Sequence, residues 1–235
     1  MPVVFLQLVL VALIGYLWGS IPSGYWMGQL LRGPDFDIRA YGSHKIGATN
    51  VLRTLGKAPA LIVFLFDLSK GLLPTLVGMF VPFFIVGGWG AAVAGLAALL
   101  GHCFPVFIGF KGGRGVMTGA GVILLLSPLT FVICAITAFG TIAIWRYVSL
   151  GSIVGCAGAM ICGVVLYVIG LSNPHFFAAA TLPTMAYLVV GPGLVILFHH
   201  DNIGRLFAGN ERKIGQKIKT GEGTEDAEGT RSVHA

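Results

Sequence analysis

The sequence predicts an all-α integral membrane protein that crosses the bilayer seven times, with its N-terminus outside and its C-terminus in the cytoplasm. The 235 residues are 56% hydrophobic and only 10% charged, and their mean hydropathy is +0.88. Because soluble domains carry about 25% charged residues, this chain is too apolar for a water-soluble protein of its size. Its few charges also fall into short clusters that separate long uncharged stretches.

The uncharged stretches account for the individual crossings, since one helical crossing needs about 20 apolar residues. Residues 1–31 fit one crossing. Residues 58–110 fit two, separated by a break at 82–90 that contains proline and glycine. Residues 147–200 also fit two, with a break at 170–174.

The stretch 115–145 is ambiguous, because it fits either one long helix or two short helices broken at Ser127-Pro128. Lys and Arg collect in short cytoplasmic loops. Two crossings place every basic cluster on one side and leave the opposite loops without Lys or Arg, whereas one crossing would place Arg146 outside. We therefore predict two crossings. The first, near residues 116–126, is either a tilted crossing or a partly re-entrant helix.

The first polar loop that interrupts the apolar chain covers residues 35–53 and contains Gly-Ser-His-Lys-Ile-Gly-Ala-Thr-Asn at 42–50. Ser43, Thr49 and Asn50 offer hydroxyl and amide groups, and Arg53 adds a cation that can bind phosphate in a bidentate manner. An ordinary basic cytoplasmic loop is the alternative, but its topology would not require so many Ser, Thr and Asn side chains. We predict a phosphate-binding loop.

The second polar loop reads Lys111-Gly112-Gly113-Arg114-Gly at the end of an apolar segment. Backbone N–H groups of such a loop can point at an anion, and the N-terminus of a following helix adds partial positive charge. The spacing of a nucleotide-binding P-loop is absent. The alternative is a flexible basic turn.

The third polar region begins where the last apolar segment ends. His199, Asn202 and Arg205 are spaced three apart and therefore share one helical face. A basic stop signal is the alternative, and metal binding by His199 and His200 is disfavoured because neighbouring helical residues point apart. Ser149 follows Arg146 in another cytoplasmic turn that could contribute to the same site.

Two charges lie inside the second apolar segment, Asp67 and Lys70, three residues apart and able to pair. Charge within a membrane is a functional hypothesis by default, but an internal ion pair that fixes helix packing is equally consistent with the spacing. The four cysteines have no metal-ligand spacing and are predicted to be buried small hydrophobic residues. We expect no metal site and no cofactor.

Together these motifs resemble a known family. The runs Gly-Ser-x-x-Ile-Gly-Ala-Thr-Asn-Val-x-Arg at 42–53, His-x-Phe-Pro-Val-Phe-x-x-Phe-Lys-Gly-Gly-Arg-Gly-Val at 102–116 and Asn-Ile-x-Arg-Leu-x-x-Gly-x-Glu at 202–211 are similar to those of the bacterial acyl-phosphate:glycerol-3-phosphate acyltransferases, the PlsY family. The resemblance extends over roughly residues 10–213. It departs from the family at His44-Lys45, where the family usually has Gly-Asn.

The resemblance implies transfer of a fatty acyl group from acyl phosphate to the 1-hydroxyl of sn-glycerol 3-phosphate, which gives lysophosphatidic acid and phosphate. It implies a seven-helix fold with a cytoplasmic site, in which the donor's own phosphate takes the proton from the acceptor. Ser43, Arg53 and Lys111 are the implied catalytic residues. The implied substrate-binding residues are Thr49, Asn50, Gly112, Gly113, Arg114, Ser149, His199 and Asn202.

The resemblance also implies the setting of the protein. We expect a multi-pass protein of the bacterial cytoplasmic membrane, with the lipid bilayer and the two substrates as partners and a functional handover from the enzyme that makes acyl phosphate. The net charge of +6 fits the cytoplasmic rim, so we expect no nucleic acid partner. We predict a membrane domain at 1–213 and a disordered polar tail at 214–235.

Two other classes of protein are alternatives. An anion transporter would place polar residues along a path at mid-bilayer and often shows an internal repeat, whereas this chain clusters its polar groups at one face. A structural membrane protein would leave the chemistry of the polar loops unexplained.

Overall fold

The computed structural model describes residues 1–215, which form ten α-helices joined by turns and loops, with no strand in that range. The predicted polar tail lies outside the described residues from position 216 onward. In order, the helices are α1 (Pro2–Gly19), α2 (Ser23–Arg32), α3 (Ala48–Thr54), α4 (Lys57–Phe80), α5 (Trp89–Cys103), α6 (Val116–Leu126), α7 (Pro128–Trp145), α8 (Val148–Ser172), α9 (Leu182–Leu197) and α10 (His200–Phe207).

Several helical segments within residues 1–215 are long and apolar enough to cross a bilayer. Five segments within residues 1–215 qualify by themselves, and α9 with α10 forms a sixth that is bent by 56°. The five are Pro2–Arg32, Lys57–Phe80, Val86–Ile108, Pro128–Trp145 and Val148–Ser172. A multi-pass helical membrane fold is therefore confirmed.

The ambiguous stretch 115–145 forms two helices that meet at Ser127, as the charge bias predicted. Pro128 starts α7 because a proline is tolerated in the first turn, where no N–H is needed. The Ser127 and Thr130 hydroxyls, 2.8 Å apart, hydrogen-bond at this break. However, α6 has 11 residues and is therefore only about 16 Å long, about half of the hydrocarbon thickness. Seven complete crossings thus remain a prediction.

The helices pack closely through small residues, as expected where a bilayer gives no hydrophobic drive for helix association. Gly15 and Gly19 of α1 face the backbone of Ala94 and Ala98 of α5, and a methyl group at either glycine would collide with those carbonyl oxygens. Gly71 of α4 contacts the backbone of α6 in the same way. Because α4 and α6 also pack against α5, the helices α1, α4 and α6 surround α5.

A buried polar cluster joins α2, α4 and α5 near the end of the bundle that carries the polar loops. Asp67 Oδ1 lies 2.6 Å from Lys70 Nζ and accepts a 2.6 Å hydrogen bond from the Ser23 hydroxyl. Lys70 also donates to Ser23 over 3.1 Å. The predicted ion pair therefore forms, and it ties α2 to α4.

The polar loops meet at one end of the fold through contacts distant in sequence. Arg39 of the first loop donates to the Ile108 carbonyl over 2.9 Å, and Arg212 donates to the Gly42 carbonyl. The Ile214 N–H donates to the Arg146 carbonyl over 2.8 Å. Thus Ile214, predicted as the start of the tail, is held against the turn between α7 and α8.

Candidate active site

A cavity of about 500 Å³ lies where the polar loops meet. Most of the predicted site residues line it, although they come from separate parts of the chain. These residues are Ser43, Thr49, Asn50, Arg53, Arg114, Ser149, His199 and Asn202.

The first loop is organised by Asn50, which lies in the first turn of α3 and is almost fully buried. Its side-chain Nδ2 lies 2.8–3.1 Å from the carbonyl oxygens of Ile38, Tyr41 and Lys45. Its Oδ1 accepts a 2.9 Å hydrogen bond from the Ser43 N–H. Because both ends of the amide are occupied, Asn50 shapes the loop that presents Ser43 and has little capacity left for a ligand.

The two residues that depart from the family pattern are accommodated in this loop. His44 has a φ of 57°, a left-handed conformation that costs a residue with a side chain roughly 1–2 kcal/mol. Its ring Nδ1 lies 2.9 Å from the Arg39 carbonyl oxygen, which holds it there. The Lys45 carbonyl accepts a hydrogen bond from Asn50, and Lys45 also lines the cavity. These two interactions hold the loop closed with a histidine, not a glycine, at position 44.

Arg53 and Arg114 bring positive charge to the polar end of the cavity. Burial lowers the pKa of Arg53, and the nearby Arg212 lowers it further. Burial also lowers the pKa of Arg114, with the nearby Arg205 adding to the effect. The buried Nε of Arg114 has no hydrogen-bond partner. Crowded, partly desolvated guanidinium groups of this kind are stabilised by a bound anion such as a phosphate.

The second loop is placed differently from the sequence-based expectation. The Gly112 and Gly113 N–H groups donate to the Cys103 and His102 carbonyls over 3.1 Å, so they are not free to bind an anion. A methyl group at Gly113 would overlap the His102 ring. Lys111 is exposed and lines a neighbouring cavity of about 770 Å³. Of the predicted residues in this loop, only Arg114 lines the central cavity.

In the third region, the helical face predicted from the sequence lines the cavity. His199, Asn202 and Arg205 all line it, and the His199 ring is fixed by a 2.7 Å hydrogen bond to the Val195 carbonyl. Asn202 and Arg205 are bonded to the Glu211 carboxylate over 2.8 Å each. Sequence reasoning gave Glu211 no role, although it ends the third motif of the resemblance.

His102 and Asp67 also line the cavity and were not predicted as site residues. The His102 Nδ1 is buried without a hydrogen-bond partner and lies 3.6 Å from Asp67 Oδ1. The signal available in the sequence was the charge inside an apolar segment. That His102 of α5 lies close to Asp67 became visible only in the tertiary structure.

The remainder of the cavity wall is apolar. It is formed by α4, α6, α7 and α8, with side chains that include Phe64, Met117, Ile123, Phe131 and Ile142. One cavity therefore joins a cationic end to an apolar channel inside the helical bundle. Within residues 1–215, no group of three or more His, Cys, Asp or Glu side chains could hold a metal ion.

A cationic pocket open to an apolar channel defines a class of protein, a membrane enzyme that handles phosphorylated and lipid-like groups together. The family model for glycerol-3-phosphate acyltransferase matches residues 9–209. This chain belongs to the glycerol-3-phosphate acyltransferase family and is an enzyme of that kind.

Individual relatives agree with this assignment. The glycerol-3-phosphate acyltransferase of Parasynechococcus marenigrum (strain WH8102) is 44% identical over 219 residues, covering 92% of this chain and 93% of the relative. That of Thermoanaerobacter sp. (strain X514) is 39% identical, covering 90% and 98%.

Two crystal structures of PlsY (YgiH), an integral membrane glycerol 3-phosphate acyltransferase, have a similar fold. The glycerol 3-phosphate form has a TM-score of 0.74 at 34% identity, covering 88% of this chain and 96% of that chain. The lysophosphatidic acid form has a TM-score of 0.72 at 34% identity, covering 88% and 95%.

Proposed function

We propose that this enzyme transfers a fatty acyl group from acyl phosphate to the 1-hydroxyl of sn-glycerol 3-phosphate. The observation that carries the proposal is the single cavity in which Arg53 and Arg114 face an apolar channel. A phosphate fits the cationic end, and an acyl chain fits the channel. The glycerol 3-phosphate and lysophosphatidic acid forms of PlsY support the same acceptor and product here.

The proposed reaction needs no covalent intermediate, because acyl phosphate is already an activated anhydride. The acceptor oxygen attacks the acyl carbonyl carbon, the bond from that carbon to the phosphate oxygen breaks, and the departing phosphate takes the proton of the attacking hydroxyl. Within residues 1–215, no lining Ser, Thr or Cys is hydrogen-bonded to a histidine that could activate it. This arrangement favours direct transfer.

In this reaction the protein supplies position and charge. Holding two reactants in line contributes about 7–11 kcal/mol, and Arg53 and Arg114 offset the repulsion between two phosphates. Ser43 and Thr49 both line the cavity, and in this proposal the Ser43 hydroxyl donates to the developing oxyanion. Lys111, predicted as a catalytic residue, lies exposed in the neighbouring cavity, and from there it would add only a solvent-screened charge.

The choice of acyl donor tests the proposal. Purified enzyme in lipid is incubated with glycerol 3-phosphate and either palmitoyl phosphate or palmitoyl-CoA, and lysophosphatidic acid is quantified. We expect product from palmitoyl phosphate only. The Arg114→Ala variant, prepared identically, controls for host enzymes. Turnover with palmitoyl-CoA at a comparable rate would contradict the proposed donor.

We also propose seven crossings, with the cavity facing the cytoplasm of a bacterial cytoplasmic membrane. The absence of Lys and Arg from residues 71–110, 115–145 and 147–200 supports this orientation. In a cysteine-free background, His44→Cys and Asn210→Cys should react with an impermeant maleimide only in inside-out vesicles, and Phe177→Cys only in right-side-out vesicles. Labelling of His44→Cys from the outside would refute the orientation.

A further inference from the structure

Glu211 lies just after α10 and places a carboxylate at the polar end of the cavity, with its side chain only 7% exposed. Its Oε1 accepts hydrogen bonds from the Ser149 hydroxyl over 2.9 Å and from Asn202 Nδ2 over 2.8 Å. Its Oε2 accepts from Arg205 Nε over 2.8 Å. One carboxylate thus connects the start of α8 with α10.

An ionised carboxylate can only accept hydrogen bonds, so Glu211 fixes the direction of the bonds around it. Burial raises its pKa, but hydrogen bonds from Arg205, Asn202 and Ser149 outweigh burial, and the pKa of Glu211 is lowered overall. Asn202 must therefore turn its Nδ2 toward Glu211, and the Ser149 hydroxyl must donate its only hydrogen to the same carboxylate.

This arrangement leaves two oxygen atoms free to accept a hydrogen bond from a ligand. Asn202 Oδ1 is buried and has no hydrogen-bond partner, and the Ser149 oxygen keeps free lone pairs. Both residues line the cavity that also contains Arg53 and Arg114. The arginines suit a phosphate, whereas neighbouring hydrogen-bond acceptors that lack a donor suit the hydrogen of a hydroxyl group.

We propose that Glu211 is a positioning residue that makes Ser149 and Asn202 hydrogen-bond acceptors for the 2-hydroxyl of glycerol 3-phosphate. This inference rests on the proposed function and deepens it. The phosphate of glycerol 3-phosphate lies at the arginines. The single hydrogen of its 2-hydroxyl is shared between Asn202 Oδ1 and the Ser149 oxygen in a three-centre bond, and its 1-hydroxyl is left to attack the acyl donor.

The chain on both sides of Glu211 holds the carboxylate in place. The next residue, Arg212, donates to the Gly42 carbonyl of the first loop. Two residues later, the Ile214 N–H donates to the Arg146 carbonyl, and Arg146 donates back to Ile214. The segment therefore spans the cavity from the first loop to the turn before α8.

The test compares glycerol 3-phosphate with 3-hydroxypropyl phosphate, which lacks the 2-hydroxyl but keeps the attacking hydroxyl. The variants are Glu211→Gln, which keeps the volume, and Glu211→Asp, which keeps the charge. Asn210→Ala is the matched control, since its exposed side chain is adjacent and makes none of these contacts. Values of kcat/KM are measured with palmitoyl phosphate as donor, and folding is checked by size-exclusion chromatography and thermal unfolding.

We expect the unmodified enzyme to prefer glycerol 3-phosphate by at least about 100-fold, because a site built to bind a hydroxyl leaves buried groups unpaired without it. Glu211→Gln should reduce this preference by about tenfold, because kcat/KM falls more for glycerol 3-phosphate than for the analogue, mainly through KM. Glu211→Asp should keep part of the preference, and Asn210→Ala should keep all of it.

If well-folded Glu211→Gln loses kcat/KM equally for glycerol 3-phosphate and for 3-hydroxypropyl phosphate, the proposal is overturned and Glu211 has a purely structural role. Increased activity would also overturn it, because the carboxylate would then be occupying the substrate's place. If the unmodified enzyme transfers nothing from palmitoyl phosphate, the proposed function fails. In that case the role of Glu211 is decided by calorimetry, which compares the affinity of each variant for glycerol 3-phosphate and for 3-hydroxypropyl phosphate.

Discussion

Arg114→Ala is expected to lower kcat/KM for glycerol 3-phosphate by about 100- to 1,000-fold, near the cost of losing one preorganised electrostatic donor. Arg114 lines the cavity, and its buried Nε has no protein partner. The other predicted groups of the second loop do not replace it there, because the Gly112 and Gly113 N–H groups are already bonded to carbonyls and Lys111 lines the neighbouring cavity. Initial rates of lysophosphatidic acid formation, with folding verified, measure the effect.

Lys111→Ala is the matched control for this prediction. Lys111 belongs to the same loop and has the same charge, but it is exposed in the neighbouring cavity. We expect Lys111→Ala to lower kcat/KM for glycerol 3-phosphate by less than about tenfold, because a solvent-screened charge contributes less than a charge in a desolvated site. An effect as large as that of Arg114→Ala would show that the substrates extend into the neighbouring cavity.

Lys70→Met is expected to destabilise the folded protein by about 3–5 kcal/mol, the cost of leaving a buried charge without its partner. Asp67 and Lys70 are both almost completely buried, and Ser23 by itself cannot neutralise the Asp67 carboxylate. Because the cluster joins α2 to α4, the loss should appear as a lower unfolding temperature in detergent. The activity of the remaining folded fraction gives a second measurement.

The double variant Asp67→Asn with Lys70→Met provides the control, since it removes both charges. We expect it to recover much of the lost stability, because replacing both members of a buried pair is often nearly neutral. If the double variant is as unstable as Lys70→Met, the loss comes from packing around the Lys70 side chain. The ion pair would then not be the feature that stabilises this end of the bundle.

Charge patterning predicted most of the fold correctly, because placing charge in hydrocarbon is costly. The uncharged stretches became helices, and the Ser127-Pro128 dipeptide became the break between α6 and α7. The length of α6 was not predictable from composition. A short helix is tolerated there because it packs against α4, α5 and α7 within the protein.

The site was only partly predictable from local motifs. Residue chemistry identified Arg53, Arg114 and Asn202 as candidates, and all three line the cavity. It could not distinguish Arg114 from Lys111, because their separation depends on how the loop turns against His102. Nor could it assign Glu211, whose three partners are brought together by the contacts of α8 with α10.

The central claim is direct transfer between two substrates in one cavity. It is tested by measuring how much phosphate is released before glycerol 3-phosphate is added. Enzyme at a known concentration is mixed with palmitoyl phosphate alone, and inorganic phosphate is followed before and after glycerol 3-phosphate is added. Direct transfer predicts no burst before the acceptor and equal amounts of phosphate and lysophosphatidic acid afterwards. One equivalent of phosphate per enzyme before the acceptor, with an acyl group retained on the protein, would contradict the account.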